Sequence, residues 1–137
     1  PGLMATLRVL VVDDEPGMRL GVRRTLERYR LPMPELGEEA GFTVEEACDG
    51  AEGYAKATAG SYSAIITDLN MPNMSGLDFI KKFRAHPASR GVPIIFLSTE
   101  SDEDSKREAK SAGAIGWIVK PFDQNQLLAA IRKVAGA

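Results

Sequence analysis

The sequence predicts an α/β fold in which helices cover both faces of one parallel sheet. Apolar runs typical of strands alternate with amphipathic segments typical of helices, and five such pairs follow one another. The strand runs are continuously apolar, as expected for strands that are covered on both faces. These observations together predict a five-stranded, doubly wound parallel sheet with right-handed crossovers.

The five predicted strands are short and rich in branched apolar residues. They are LRVLVV (7–12), FTVEEA (42–47), SAIIT (63–67), PIIFLS (93–98) and GWIV (116–119). The five predicted helices carry apolar residues at helical spacing or are rich in alanine and charged residues. They span residues 16–30, 50–59, 77–85, 102–112 and 123–134.

The segment LPMPELGEEAG (31–41) departs from this regular plan. Its prolines and glycines oppose a continuous helix, and it exceeds the roughly 2–6 residues usual between a helix and a strand. We predict an atypical long loop, in which Glu35, Glu38 and Glu39 could lie against arginines of the first helix. That helix is strongly basic, which indicates either a solvated face or a docking surface for a partner protein. Its arginines are Arg19, Arg23, Arg24, Arg28 and Arg30.

Composition narrows the possible classes of protein. The length of 137 residues suits one domain, and the net charge of −2 does not favour direct nucleic-acid binding. Cys48 is the single cysteine, so no intrachain disulfide can form and we expect a cytoplasmic location. No apolar stretch approaches the roughly 20 residues of a membrane span, so no membrane insertion is expected. Residues 1–3 (PGL) are interpreted as a cloning remnant before a single domain at 4–137.

Polar residues stand where four of the predicted strands end. In open α/β sheets ligands bind outside the carboxyl ends of the strands, so these side chains are expected to meet at one edge. They are Asp13, Asp14 and Glu15 after the first strand, Asp68 and Asn70 after the third, Ser98, Thr99 and Glu100 at the fourth, and Lys120 after the fifth. Each alone is ordinary at a strand end, but their joint placement indicates a site.

The chemistry of this edge suits metal-assisted phosphoryl transfer. Two carboxylates about 4 Å apart repel by about 4 kcal/mol at an effective dielectric constant near 20, so a crowded set needs a cation. Oxygen ligands without histidine or cysteine suit Mg²⁺. A hydroxyl and a lysine opposite would receive an oxyanion, as phosphoryl transfer to a carboxylate requires.

Four segments, VLVVDDE, IITDLNMPNMSGLDFI, IIFLST and AGAIGWIVKPF, resemble the response regulator receiver domains of two-component signalling. The resemblance extends from about residue 7 to residue 134, and the NMPNM and KPF pieces are most similar to the stand-alone chemotaxis regulators. It implies a flavodoxin-like fold with strand order 2-1-3-4-5. It also implies a phosphoacceptor that catalyses its own phosphorylation and slow dephosphorylation, which we expect to be a signalling domain and not an enzyme.

The resemblance also implies how the acidic residues act. Asp68 is the expected phosphoacceptor, which takes a phosphoryl group from the phosphohistidine of a sensor histidine kinase or a histidine phosphotransfer domain. If the basic first helix is a docking surface, the kinase or the phosphotransfer domain is its expected partner. Asp14, Asp68 and the backbone carbonyl of Asn70 would ligate Mg²⁺. Asp13 would act largely through metal-bound water.

The remaining residues of the edge would read out phosphorylation. Lys120 would hold a phosphoryl oxygen, and Ser98 would swing towards the phosphoryl group. Trp117 stands at the position of the family's switch aromatic, which would couple the site to a surface for a downstream output protein. A further set is expected to modulate the reaction: Glu15, Asn70, Thr99 and Glu100.

Other classes of protein share parts of this pattern. A haloacid-dehalogenase-like phosphatase also uses a strand-end aspartate and Mg²⁺, but it needs an acidic residue two positions on, where this sequence has Asn70. A flavodoxin-type cofactor binder needs a phosphate-cradling loop after the first strand, where DDEPG would repel phosphate. A receiver-like scaffold that cannot be phosphorylated would lack site residues that are all present here. The cognate kinase, the output, the oligomeric state and whether the chain is stand-alone stay open.

Overall fold

The computed structural model describes residues 4–34, 37–99 and 102–135. Six strands and five α-helices lie within these ranges. The strands are β1 (Met4–Val12), β2 (Leu31–Met33), β3 (Glu38–Ala47), β4 (Ala64–Asp68), β5 (Ile94–Ser98) and β6 (Gly116–Val119). The helices are α1 (Pro16–Arg28), α2 (Gly50–Ala59), α3 (Gly76–Arg84), α4 (Glu103–Ser111) and α5 (Gln124–Ala135).

One sheet of order β2-β3-β1-β4-β5-β6 runs through the molecule. The pairs β1–β3, β1–β4, β4–β5 and β5–β6 are parallel, and only β2 is antiparallel to its neighbour among the described strands. The predicted α/β class is confirmed. The predicted order 2-1-3-4-5 is correct for the parallel strands, but the predicted total of five strands is wrong because β2 adds a sixth at one edge.

The extra strand arises inside the segment predicted to be a long loop. Leu31 is 3% exposed and joins the core, while Ala40 lies opposite it in the antiparallel pair. Prolines oppose a helix, but a strand at the sheet edge tolerates them, as at Pro32. Gly37 then turns the chain with a φ of 66°, in the left-handed region that favours glycine. Segment 31–41 is therefore largely a β-hairpin that extends the sheet.

The predicted contact with the first helix is not seen for Glu39, the described acidic side chain of segment 31–41. Glu35 and the side chain of Glu38 lie outside what the structure describes, and Glu39 is exposed. The described ion pairs of the α1 arginines instead join Arg19 and Arg23 to Glu46, and Arg23 also to Glu27. Among the residues that the structure describes, the acids that pair with the α1 arginines thus come from β3 and from α1 itself.

Helices cover both faces of the sheet, and the buried residues of β1 alternate between the two layers. Val9 and Val11 face the layer of α1 and α5, whereas Leu10 and Val12 face the layer of α2, α3 and α4. The helical side of the first layer is built from Val22, Leu26, Leu127 and Ile131, and that of the second from Ala57, Phe79, Ile80, Phe83 and Ala109. Among the described residues, no helix has the length and apolar character needed to cross a bilayer.

Candidate functional site

Four parallel strands end at the same edge of the sheet, and the predicted site residues stand at these ends. Asp13 and Asp14 follow β1, Asp68 closes β4, Ser98 closes β5 and Lys120 follows β6. The parallel order β1-β4-β5-β6 makes these ends neighbours in space. The sheet thus brings carboxylates, a hydroxyl and an ammonium group together, as expected for residues at the carboxyl ends of parallel strands.

Three of these residues form an acidic cluster. Asp13, Asp14 and Asp68 each offer a carboxylate oxygen within 4.8 Å of the others. Asp13 is fully buried and Asp68 is 6% exposed, whereas Asp14 is exposed. An all-oxygen donor set of this kind fits a hard divalent cation such as Mg²⁺. The exposure of Asp14 leaves one side of the cluster open to solvent.

The Lys120 ammonium lies between the buried carboxylates. Its Nζ is 2.9 Å from Asp13 Oδ2, 3.3 Å from Asp68 Oδ1 and 3.4 Å from Glu15 Oε1. Burial lowers the pKa of Lys120, but its hydrogen bonds with Asp13 and Asp68 and their charges outweigh this effect and raise the pKa overall. Lys120 therefore stays charged, and it partly neutralises the cluster.

The Asp68 carboxyl group is difficult to ionise. Burial is the largest cause that raises the pKa of Asp68 to about 6, the charge of Asp13 adds to it, and Lys120 acts in the opposite direction. The carboxylate also accepts a hydrogen bond from the Leu69 N–H at 3.0 Å. Strongly perturbed carboxyl groups in a cluster of charges are typical of functional sites. A cation beside Asp68 would favour its ionised form.

The loop after β4 is pressed against the end of the strand and holds Asp68 in place. The Gly76 N–H donates to the Leu69 carbonyl at 2.8 Å, and a Cβ on Gly76 would lie 2.0 Å from the Asp68 carbonyl oxygen. Only glycine fits such an approach. Asn73 adopts a φ of 70°, which tightens the same loop. Asn70 lies exposed in this loop, two residues beyond Asp68.

The predicted switch residues lie on one face of the sheet. Ser98 is fully buried at the end of β5, and Phe96, two residues earlier, lies opposite Trp117 of β6. The Phe96 and Trp117 ring centroids are 5.9 Å apart, and the Trp117 Nε1 is buried without a hydrogen-bond partner among the described residues. Of the residues expected to modulate the site, Thr99 is exposed, and Glu100 lies outside the described residues.

Arg19 contacts this edge although the sequence singled it out only as one of several basic residues of the first helix. Its guanidinium donates to the Asp13 carbonyl at 2.7 Å and to Glu46 Oε1 at 3.1 Å. The only signal in the sequence for this contact is that Arg19 lies in the first turn of the helix that follows the DDEP motif. Spacing alone does not separate it from the exposed arginines further along α1, because side-chain reach depends on how α1 packs.

Comparison with protein families matches residues 9–132 to the response regulator receiver domain. This chain belongs to that family. The match extends from β1 into α5 and includes every residue of the acidic edge. The receiver family therefore accounts for the parallel sheet, its covering helices and the strand-end cluster.

Relatives of known name resemble this receiver over nearly its whole length. Chemotaxis protein CheY1 of Helicobacter pylori (strain J99) is 38% identical over 131 residues, which cover 95% of this chain and 98% of that protein. The structure of chemotaxis response regulator CheY4 of Vibrio cholerae is 39% identical, with a TM-score of 0.82 over 96% of this chain and 99% of that one. The chain is thus a CheY-like receiver in both sequence and fold.

A more distant receiver structure contains a metal ion. The receiver domain of sensor histidine kinase PA1611 from Pseudomonas aeruginosa is 25% identical, with a TM-score of 0.79 over 97% of this chain and all of that chain. That structure has a magnesium ion coordinated in its active-site cleft. Receiver domains thus bind Mg²⁺ in an acidic active site, the kind of site that Asp13, Asp14 and Asp68 form here.

Membership of the receiver family corrects one expectation. The chain was expected to be a signalling domain and not an enzyme. Receiver domains phosphorylate themselves from phosphodonors and hydrolyse the phosphate, so the family carries out catalysis as well as signalling. The contrast between a signalling domain and an enzyme is therefore wrong for this chain.

Proposed function

We propose that the chain is a phosphoacceptor response regulator of a two-component phosphorelay. It would take a phosphoryl group onto Asp68 from the phosphohistidine of a sensor histidine kinase or a histidine phosphotransfer domain. The observation that carries the proposal is the buried Asp68 carboxylate, clustered with Asp13 and Asp14 and 3.3 Å from the Lys120 ammonium. This arrangement holds a nucleophile, a place for a cation and a fixed positive charge within one small volume.

The acidic residues would divide the binding of Mg²⁺ among them. Asp14, Asp68 and the backbone carbonyl of Asn70 would hold the ion directly. Both oxygens of Asp13 already have partners, since Oδ1 accepts the Glu15 N–H at 2.9 Å and Oδ2 accepts Lys120 Nζ at 2.9 Å. This supports a role for Asp13 through metal-bound water. When bound, Mg²⁺ neutralises the carboxylates and the phosphoryl oxygens as charge shifts between them.

The transfer itself would be a displacement at phosphorus. An oxygen of Asp68 attacks the phosphorus atom while the bond to the donor's imidazole nitrogen breaks, and the leaving imidazole takes up a proton from solvent. Lys120 would exchange its contact with the Asp68 carboxylate for a phosphoryl oxygen. The Ser98 hydroxyl would donate to another phosphoryl oxygen. These residues position charge and hydrogen bonds, which is the main contribution of a protein to phosphoryl transfer.

Other residues would tune this reaction and transmit its outcome. We assign the modulating role to Glu15, Asn70 and Thr99 near the site and, from its place in the sequence alone, to Glu100. Movement of Ser98 would change the position of Trp117. The surface that binds a downstream output protein would change with it. We place this single receiver domain, residues 4–137, in the cytoplasm, where ATP supplies the phosphoryl group of the partner kinase.

Phosphorylation from acetyl phosphate tests the proposal. The parent protein should form a base-labile acyl phosphate with Mg²⁺ and none with EDTA, and Asp68→Asn should form none. Asp78→Asn is a matched control, because Asp78 is an exposed aspartate of α3 outside the acidic cluster. It should be labelled like the parent. Normal labelling of Asp68→Asn would refute the assignment of the phosphoacceptor.

A further inference from the structure

Arg19 connects the acidic edge to the neighbouring strand β3. Its Nη1 donates to the Asp13 carbonyl at 2.7 Å, and its Nε donates to Glu46 Oε1 at 3.1 Å. The Arg19 side chain is only 17% exposed, and that of Glu46 is 28% exposed. The guanidinium is thus held by β3 and in turn holds the end of β1.

The carbonyl that Arg19 binds belongs to the peptide group joining Asp13 to Asp14. The peptide group before it is anchored too, because the Asp13 N–H donates to the Ala47 carbonyl at 3.1 Å. The group after it is anchored by the Glu15 N–H, which donates to Asp13 Oδ1 at 2.9 Å. Three successive planar peptide groups are therefore fixed, and Arg19 supplies the middle anchor.

We propose that Arg19 is a positioning residue for cation binding. It holds the Asp13–Asp14 peptide so that the two aspartate side chains point at one cation. The inference rests on the proposed function only in that the acidic cluster binds Mg²⁺. Arg19 acts through the main chain, since its described hydrogen bonds go to a carbonyl and to Glu46 and not to the clustered carboxylates. Groups that orient ligands in this way govern metal affinity without touching the metal.

Arg19 has two effects on a nearby cation, and these have opposite signs. Its positive charge repels a cation, so removal of the charge alone would strengthen Mg²⁺ binding. Its hydrogen bond orders the Asp13–Asp14 peptide, so removal of the bond would weaken Mg²⁺ binding. The direction of the change in affinity therefore distinguishes a positioning residue from a mere nearby charge.

Arg23 provides a matched control on the same helix. It donates to Glu46 Oε2 at 3.3 Å and to Glu27 Oε1 at 3.2 Å, and its side chain is 48% exposed. None of its described hydrogen bonds reaches Asp13. Arg23→Met thus removes the same charge and a contact with the same glutamate, and it leaves the anchor on the Asp13 carbonyl in place.

The test measures Mg²⁺ affinity of the full chain from melting temperature as a function of Mg²⁺ concentration, without a phosphodonor. Arg19→Met should raise the dissociation constant about tenfold, at the low end of losses caused by removing groups that orient metal ligands. Arg23→Met should leave it unchanged or lower it. With acetyl phosphate, Arg19→Met should need more Mg²⁺ for half-maximal phosphorylation, while its rate at saturating Mg²⁺ stays within about twofold of the parent.

Several results would overturn the inference. A variant Arg19→Met that is less stable but binds Mg²⁺ with the parent's affinity would show a purely structural role. Tighter Mg²⁺ binding, or equal weakening in Arg23→Met, would show a charge effect. If Arg19→Met does not fold, Glu46→Ala should weaken Mg²⁺ binding more than Glu27→Ala, which removes the same charge elsewhere in the network, and equal effects would refute the inference.

The same measurements separate this inference from the proposed function. A parent protein that binds Mg²⁺ but is not phosphorylated on Asp68 would refute the proposed function. The Mg²⁺ affinities of Arg19→Met and Arg23→Met would still decide the role of Arg19. A parent protein that does not bind Mg²⁺ would refute both.

Discussion

Asp68 lies buried beside a second carboxylate, and this environment makes its ionisation costly. Burial is the main cause that raises its pKa from 3.8 to about 6, the charge of Asp13 contributes next, and Lys120 acts against both. Asp14 adds a smaller repulsion. Because the pKa of the folded protein exceeds that of the unfolded chain, the folded state binds more protons between these two values.

We therefore predict that ionisation of Asp68 destabilises the metal-free protein as the pH rises through this window. The contribution of Asp68 is fully present below pH 3.8 and is lost as the pH rises through about 6. Its size should be about 3 kcal/mol, since one unit of pKa corresponds to roughly 1.4 kcal/mol. Urea unfolding in EDTA, on both sides of the window, measures it. In Asp68→Asn the free energy of unfolding should depend less on pH within this window. Parallel pH profiles of the parent and the variant would show that Asp68 ionises normally.

Single residues differ in how well the sequence reveals them. Asp13, Asp68 and Lys120 were predicted to meet, since each follows a strand of a parallel sheet and the carboxyl ends of such strands lie together. The contact of Arg19 with the Asp13 carbonyl was not predicted. It depends on the packing and rotation of α1 against β1 and β3, which residue spacing does not specify.

At the level of elements, the neighbouring strands β5 and β6 link the acidic edge to the single tryptophan. Ser98 lies opposite Val119, and Phe96 opposite Trp117, so the serine and the indole are two residue pairs apart along the two strands. Movement of Ser98 towards a phosphoryl group would open space on the Trp117 side. The indole is already half-buried, so the change in its surroundings should be small.

We predict a blue shift of Trp117 emission with beryllofluoride, which mimics a phosphoryl group on Asp68. Mg²⁺ alone should change the emission little, because the residue after Asp68 is Leu69 and not a tryptophan that the metal could quench. Ser98→Ala should bind beryllofluoride without the shift, since a ligand moves a switch only through its differential affinity for the two states. Identical emission of the parent with and without saturating beryllofluoride would mean that Trp117 is a packing residue.

The β2–β3 hairpin shows where the reading of elements from sequence failed. A strand of three residues is too short to show a hydrophobic periodicity, and its proline disfavours a prediction of regular secondary structure. The strand forms because the core covered by α1 and α5 accepts Leu31, a tertiary effect. The polar start of β3 was missed for the same reason, because residues 39–41 pair with the beginning of β1 and gain their order from that pairing. The boundaries of the other elements lie within a few residues of those predicted.

At the scale of the whole molecule, three carboxylates at one edge oppose the folded state, and a bound cation should relieve their repulsion. We predict that millimolar Mg²⁺ raises the melting temperature relative to EDTA. A ligand at 100 times its dissociation constant adds about 2.7 kcal/mol to the free energy of unfolding. Asp14→Asn should lose most of this gain. Flat melting temperatures in Mg²⁺, Ca²⁺ and EDTA would contradict metal binding at the cluster.

The fold class was predictable because the whole molecule repeats one pattern. Five apolar runs, each followed by a helical segment, admit few arrangements other than a parallel sheet with covered faces. The choice of kinase and output partner depends instead on shape and charge at exposed surfaces such as that of α1. The residues of those surfaces follow no periodic pattern. Which residues matter there depends on the surface of the partner protein, which this sequence does not contain.

The most direct test of the account is to locate the phosphoryl group on the chain. The protein is phosphorylated with acetyl phosphate and Mg²⁺, reduced with borohydride, which converts an aspartyl phosphate to homoserine, and digested for peptide mass spectrometry. The account predicts homoserine in place of Asp68 and at no other aspartate, and none in a parallel sample with EDTA. Homoserine in place of Asp13 or Asp14, or an acid-stable phosphate ester on Ser98, would contradict it.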